Sequence, residues 1–178
     1  VNGVEKQTIK LMNVCRMRKT PVITFINKMD LDGRDVLDLL DNIETVLGIE
    51  TTPFTLPIGY GKSFAGVFGV RDFRLHTIGK EDEEVVQLEG IDDPELSKRF
   101  KEKEIALLRE RYEMVTEVMT PFSREKFLAG EQMPVFFGSA IRNFGVKQLL
   151  EAFAELAPGP LPRVSDLRKV DPFEENFS

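Results

Sequence analysis

The chain has 178 residues, 42% of them hydrophobic and 30% charged, a globular profile that excludes collagen-like and disordered classes and suits one or two domains. Its net charge of −6 excludes a broadly basic nucleic-acid binder, so no direct DNA binding is expected. A single cysteine, Cys15, excludes an internal disulfide, and no stretch is long or apolar enough to span a membrane; with no signal peptide in sight, a cytoplasmic protein is the expectation.

Residues 3–18 read as a helix, with Val4, Thr8, Leu11, Met12 and Cys15 on one face. Glu5 near its start and Arg16, Arg18 and Lys19 at its end suit the helix dipole. Residues 22–26 are apolar and rich in β-branched side chains, which predicts a strand buried on both faces, as in a parallel sheet. Pro21 fits its first position, where a missing N–H costs least. A second helix is predicted over 34–47, burying Val36, Leu39, Leu40, Ile43, Val46 and Leu47 and closed by Gly48.

From residue 51 the pattern changes to Phe, Val, Thr and Gly. Short strands are predicted over 54–58, 66–72, 74–77 and 85–88, an antiparallel meander inserted into the α/β unit. Residues 81–95 hold many acids and no base, which reads as a solvated loop. One long helix is predicted over 94–120, its face marked by Leu96, Phe100, Ile105, Leu108, Tyr112, Val115 and Met119. A short helix over 124–129 ends at Gly130. Residues 133–140 predict a second buried strand, followed by an amphipathic helix with Val146, Leu149, Leu150, Phe153 and Leu156 on one face. The proline-rich stretch 157–162 reads as a stiff stop.

The polar residues Asn27, Lys28 and Asp30 arrive where the first strand leaves its sheet. In open α/β sheets ligands sit beyond the carboxyl ends of strands. An Asp30 carboxylate accepts two hydrogen bonds from the N1–H and 2-amino group of guanine. Adenine presents a lone pair at N1 instead, and a buried acceptor left facing it costs roughly 1–3 kcal/mol. Lys28 can lay its methylene stem along a base, and Asn27 can tie the loop to neighbouring backbone. Gly138-Ser139-Ala140 ends the second strand in a similar way. Gly61-Lys62-Ser63 lacks the first glycine of a phosphate-binding loop, since Leu56 stands in its place, and reads as a turn. His76, the only histidine, reads as structural or surface.

A strand ending in Asn-Lys-x-Asp, a long insertion, then a strand ending in Gly-Ser-Ala and a final helix resembles the C-terminal half of a translational GTPase domain. Pro57-Ile58-Gly59-x-Gly61-Lys62-x-Phe64-x-Gly66-Val67, Phe127-Leu128-Ala129-Gly130-Glu131 and Pro134-Val135-Phe136-Phe137-Gly138-Ser139-Ala140-x-x-Asn143-Phe144-Gly145-Val146 resemble the peptide chain release factor 3 family within it. Elongation factor G and the ribosomal protection GTPases share the Asn-Lys-x-Asp and the insertion but match 127–131 and 136–146 less well. A non-catalytic interaction module is the reading from a different class.

The resemblance implies an α/β fold: part of a doubly wound GTPase domain (1–50 and 132–163) carrying an inserted α+β subdomain (51–131), with 164–178 leading onward. It implies guanine contacts from Asn27, Lys28, Asp30, Ser139, Ala140 and Ile141, the N–H after the serine donating to guanine O6. GTP or GDP would be the cofactor, with Mg2+ held by phosphate-loop and switch motifs that this sequence does not contain. The chain alone is therefore expected not to hydrolyse GTP, although the whole protein would. The ribosome and class-I release factors, dissociated and recycled in a GTP-dependent way, are the implied partners. A start at Val1 reads as a piece of something longer.

Overall fold

The computed structural model describes residues 3–78, 83–159, 163–164 and 169–170. It is a mixed α/β molecule with a three-stranded parallel sheet and a four-stranded antiparallel sheet. In the parallel sheet β7 (Gln132–Phe137) lies between β1 (Thr24–Ile26) and β2 (Glu50–Pro53). The register pairs Ile26 with Phe137 and Thr51 with Met133. All six residues of β7 are buried, as a central strand with both faces covered requires.

β1 departs from expectation. It is three residues long, and only Ile26 is buried; Thr24 and Phe25 are half-buried. The reason is its place at the sheet edge, with a hydrogen-bonded neighbour on one side only. The helix before it, α1 (Lys6–Met17), covers it loosely: Met12 is its one buried residue, while Leu11 and Met17 are largely exposed. Cys15 is half-buried and free.

Helix α2 (Val36–Leu47) follows its pattern closely. Asp35 accepts from the Leu37 N–H at its start, and Gly48 closes it in the left-handed region at φ 56°. Val36, Leu39, Leu40, Ile43 and Leu47 are buried, whereas Val46 faces out. Arg16 of α1 donates to the Gly48 carbonyl at 3.0 Å and ties the two helices together.

The antiparallel sheet runs β3 (Thr55–Ile58), β4 (Gly66–Gly69), β5 (Arg74–Ile78), β6 (Glu83–Gln87), in that order. It is bound to the parallel sheet by the Thr55 hydroxyl, which accepts from the Phe137 N–H. The main core crosses both sheets: Ile26, Val135 and Phe137 join Leu56, Val67, Phe68 and Leu75, and Ile105, Leu108 and Val115 cover them. Each such side chain contributes roughly 1.5–3 kcal/mol when fully buried.

Two expectations for the insertion need correction. The acidic stretch 81–95 is not a solvated loop where it is described. Glu83 and Glu84 lie in β6, and Pro94 opens α3 (Pro94–Arg99). Its acids meet bases from outside the stretch: Glu84 and Glu95 pair with Arg99, and Asp92 pairs with Arg109. The single long helix is two, because Phe100 takes an extended conformation (φ −125°, ψ 158°) and packs on the core. The chain restarts as α4 (Glu102–Val118), where Glu104 accepts from the Lys101 N–H.

Helix α5 (Arg124–Ala129) ends at Gly130, φ 75°. Helix α6 (Val146–Leu156) is turned away from its expected face. Gln148, Ala152 and Leu156 are buried, whereas Leu150 and Phe153 are each 59% exposed. The turn brings Gln148 over the antiparallel sheet, where its amide nitrogen donates to Glu83 of β6 and packs beside His76 of β5. His76 is itself buried and bonds Glu83 at 2.8 Å. Two-residue strands β8 (Arg163–Val164) and β9 (Lys169–Val170) pair antiparallel; the stop at 160–162 and most of 164–178 lie outside the described residues.

Candidate functional site

The parallel pairing of β1 and β7 brings the ends of both strands to the same side of the sheet. Two loops leave there, 27–31 and 138–144. They are stitched together by backbone: Gly138 N–H donates to the Ile26 carbonyl and Met29 N–H to the Gly138 carbonyl, both at 3.1 Å.

Asn27 joins the loops by its side chain. Its Oδ1 accepts from the N–H of its neighbour Lys28 at 2.7 Å and from the Ala140 N–H at 2.8 Å. Holding both donors on one oxygen fits the left-handed backbone of Lys28, φ 67°, a conformation uncommon for a residue with a Cβ and frequent at functional loops. The Lys28 side chain is exposed.

Asp30 sits at the junction. The Ser139 hydroxyl beside it holds its carboxyl below the ordinary carboxylate value, against the effect of burial, and the charge of Arg142 acts in the same direction. Asp30 is therefore an ionised acceptor at neutral pH. The Ser139 pair stops short of a full hydrogen bond: Asp30 Oδ1 and Ser139 Oγ are both buried atoms without a hydrogen-bond partner. Buried polar atoms of this kind are uncommon and call for a partner.

The 139–144 loop is closed on itself. Ser139 N–H donates to the Phe144 carbonyl and Phe144 N–H to the Ser139 carbonyl, each at 3.0 Å. Gly138 is required there, because a Cβ would lie 2.3 Å from the Phe144 carbonyl oxygen and 2.7 Å from the Phe25 ring. Ile141 lies on the outside of the loop, 89% exposed.

Thus Asn27, Lys28, Asp30, Ser139, Ala140 and Ile141 gather on two adjoining loops. One detail differs from the expectation that the Ala140 N–H faces a base: it is already given to Asn27 Oδ1. A ligand carbonyl would have to share that donor or take it over.

Several residues at the site carry no motif signal. Gly61 N–H donates to the Met29 carbonyl at 2.8 Å, from a single 3₁₀ turn over Gly61–Ser63. Arg111 of α4 is 2% exposed and bonds Asp35 at 2.6 Å, at the cap of the helix that follows the 27–31 loop. The positive charge in the middle of an otherwise apolar helix face was the signal available for Arg111. A cavity of about 490 Å³ opens beside the site along the outer edge of β1, lined by Val4, Phe25, Ile26, Asn27, Lys28 and Leu31. It is lined by Asn27 and Lys28 but by neither Asp30 nor Ser139, so it is a mixed polar and apolar groove next to the loops and not the space between them. Among the described residues no group of three or more His, Cys, Asp or Glu is arranged to hold a metal ion, and no helix is long and apolar enough to cross a membrane.

Comparison with known proteins gives three results. Residues 1–159 match the family model of the elongation factor Tu GTP binding domain. The chain is similar to a peptide chain release factor 3 of Bordetella petrii, with 48% identity over an alignment of 183 positions that covers 99% of this chain and 34% of the relative. The chain thus spans about a third of the length of that curated relative. In fold it is similar to a crystal structure of a Thermus thermophilus protein, with a TM-score of 0.63 over 90% of this chain and 26% of the other, at 22% identity.

Proposed function

The chain belongs to the elongation factor Tu GTP-binding domain family, and from that premise we propose that its two adjoining loops are the guanine-recognition part of a translational GTPase. The observation that carries the reading is the pairing of an ionised Asp30, with one buried oxygen unpartnered, against the Asn27–Ala140 bridge. Guanine would supply Asp30 with donors, N1–H and the 2-amino group, while its O6 would share the Ala140 N–H with Asn27 Oδ1 or take it over. The stem of Lys28 can cover one face of the base. Adenine offers Asp30 no N1 donor, and sites built on such hydrogen bonds reject the wrong analogue strongly.

The residues present fit the base and not the phosphates. The Gly61 N–H, which a phosphate loop would offer to a phosphate oxygen, is spent on the Met29 carbonyl. A bound GTP would bring the transferable phosphoryl group, and Mg2+ and phosphate clamps would come from outside this segment. Given the similarity to release factor 3, the whole protein would act on the ribosome, using GTP to dissociate and recycle class-I release factors.

Exchange of base preference tests the reading. In the full-length protein, Asp30→Asn turns preference from guanine toward xanthine nucleotides, because an amide can donate where xanthine carries a carbonyl. Competition binding with GDP and xanthosine diphosphate measures it. Guanine preference unchanged by the substitution removes Asp30 from the site and the reading with it.

A further inference from the structure

One turn of the inserted segment touches both loops of the cradle. Gly61 donates its N–H to the Met29 carbonyl, on the Asp30 side. A Cβ on Gly61 would lie 2.2 Å from Asp32 Oδ1, so the turn is pressed directly against that loop, and its φ of +58° suits glycine. Three residues later the buried Phe64 ring meets Phe144 edge to face, at 5.7 Å and 83°. Phe144 is the residue whose two backbone hydrogen bonds close the Ser139 loop.

Arg111 lies between the start of α2 and the residue that opens the turn. Its guanidinium bonds Asp35, where α2 begins, and lies 6.0 Å from the Tyr60 ring, immediately before Gly61. Arg111 is nearly fully buried, and its Nε is without a hydrogen-bond partner, so its place is set by Asp35 and the Tyr60 face. A buried charge held this way has few alternative positions.

We propose that the 60–64 turn and Arg111 form a clamp in which Gly61, Phe64 and Arg111 are positioning residues, setting the distance between the Asp30 and Ala140 loops and so the discrimination of guanine from bases lacking its 2-amino group. The discrimination half of this proposal rests on the guanine reading; the loop-holding half rests on the contacts alone. None of the clamp residues needs to touch the nucleotide. The insertion is then part of the specificity device, through a turn that sequence comparison with phosphate loops would misdirect.

The test uses the full-length protein and the variants Arg111→Met, Phe64→Leu and Arg111→Lys. Both inosine diphosphate, which lacks the 2-amino group, and GDP are titrated, and amide hydrogen exchange is followed at 27–31 and 139–144. Arg111→Met and Phe64→Leu are expected to reduce the GDP-over-inosine-diphosphate ratio by about tenfold, as small misplacements of bonding groups do, and to speed exchange in both loops relative to α2. Arg111→Lys, which keeps the charge on Asp35, is expected to restore most of the ratio. If Arg111→Met does not fold, Phe64→Leu carries the test alone. Loop exchange unchanged in the folded variants overturns the clamp, whatever the nucleotides do; a ratio within twofold of wild type with faster exchange overturns its role in specificity. Faster loop exchange in a protein that never prefers GDP over inosine diphosphate supports the clamp and sinks the guanine reading instead.

Discussion

The side-chain oxygen of Asn27 accepts the backbone N–H of Ala140 at 2.8 Å, across 113 positions of sequence. The same oxygen takes the Lys28 N–H, so one amide holds the turn of its own loop and fastens it to the other. Asn27→Ala leaves both donors to water. Because the bonds are at the surface, the cost is modest, about 1 kcal/mol in urea unfolding. Asn27→Asp keeps an acceptor oxygen and should lose less than Asn27→Ala. Equal stability of Asn27→Ala and wild type would mean that the bridge contributes nothing.

Much of this geometry was legible in the sequence because it depends on strand ends. An apolar run followed by Asn27-Lys28-x-Asp30, and another followed by Gly138-Ser139-Ala140, place both polar sets at strand carboxyl ends once the strands are parallel. What was illegible depends on neighbours distant in sequence. β1 reads as doubly buried from its own composition, yet its burial is set by its edge position. The stripe of α6 suggests Leu150 and Phe153 for the core, but the helix instead buries Gln148, whose amide nitrogen donates to Glu83. The break at Phe100 has no proline or glycine to announce it. Arg111 stands on the apolar face of α4, but its partner Asp35 lies 76 positions away and nothing local points to it.

Two glycine substitutions should behave oppositely. At Gly138 a new methyl meets the Phe144 carbonyl oxygen at 2.3 Å, a backbone atom held by the Ser139 pair that cannot yield locally. Gly138→Ala should destabilise by about 1–3 kcal/mol, the range for forced overpacking. At Gly90 nothing lies within 4 Å of the added atom. Gly90→Ala should be neutral or stabilise by up to about 1 kcal/mol, through the unfolded chain. Denaturant midpoints of the two variants measure this, and a similar loss at both would show that the Gly138 contact is not what matters.

The Asp35–Arg111 pair has a defined pH signature. Burial alone would raise the Asp35 carboxyl; hydrogen bonds from Arg111 and the Leu37 N–H outweigh it and hold the group below its ordinary value of 3.8. A carboxyl depressed in the folded state contributes stability that is fully present above the unfolded value and is lost as pH falls through the folded one. Asp35→Asn keeps an oxygen for the Leu37 N–H and removes the charge. The stability gap between wild type and Asp35→Asn should therefore be full at neutral pH and close below about pH 4. Urea unfolding of both proteins across that range reads the gap directly. A gap of constant size down to about pH 3 would show that the Asp35 charge is not what Arg111 rewards.

The 178-residue chain by itself should bind GDP weakly. On the proposed reading its two loops would meet only the base, and a base alone gives little surplus once the lost freedom of the ligand is set against it. The phosphates would need backbone N–H groups aimed at them from a glycine-rich turn. The one turn here with the right letters, Gly61-Lys62-Ser63, has its Gly61 N–H on the Met29 carbonyl and its Ser63 hydroxyl on the Tyr60 carbonyl at 2.9 Å, so both donors are engaged within the chain. Calorimetric titration of the chain with GDP should give no saturable heat in the micromolar range, and Lys62→Ala should change nothing. Micromolar binding that Lys62→Ala abolishes would mean that this turn opens to receive phosphate, and that its contact with the Asp30 loop is one state of two.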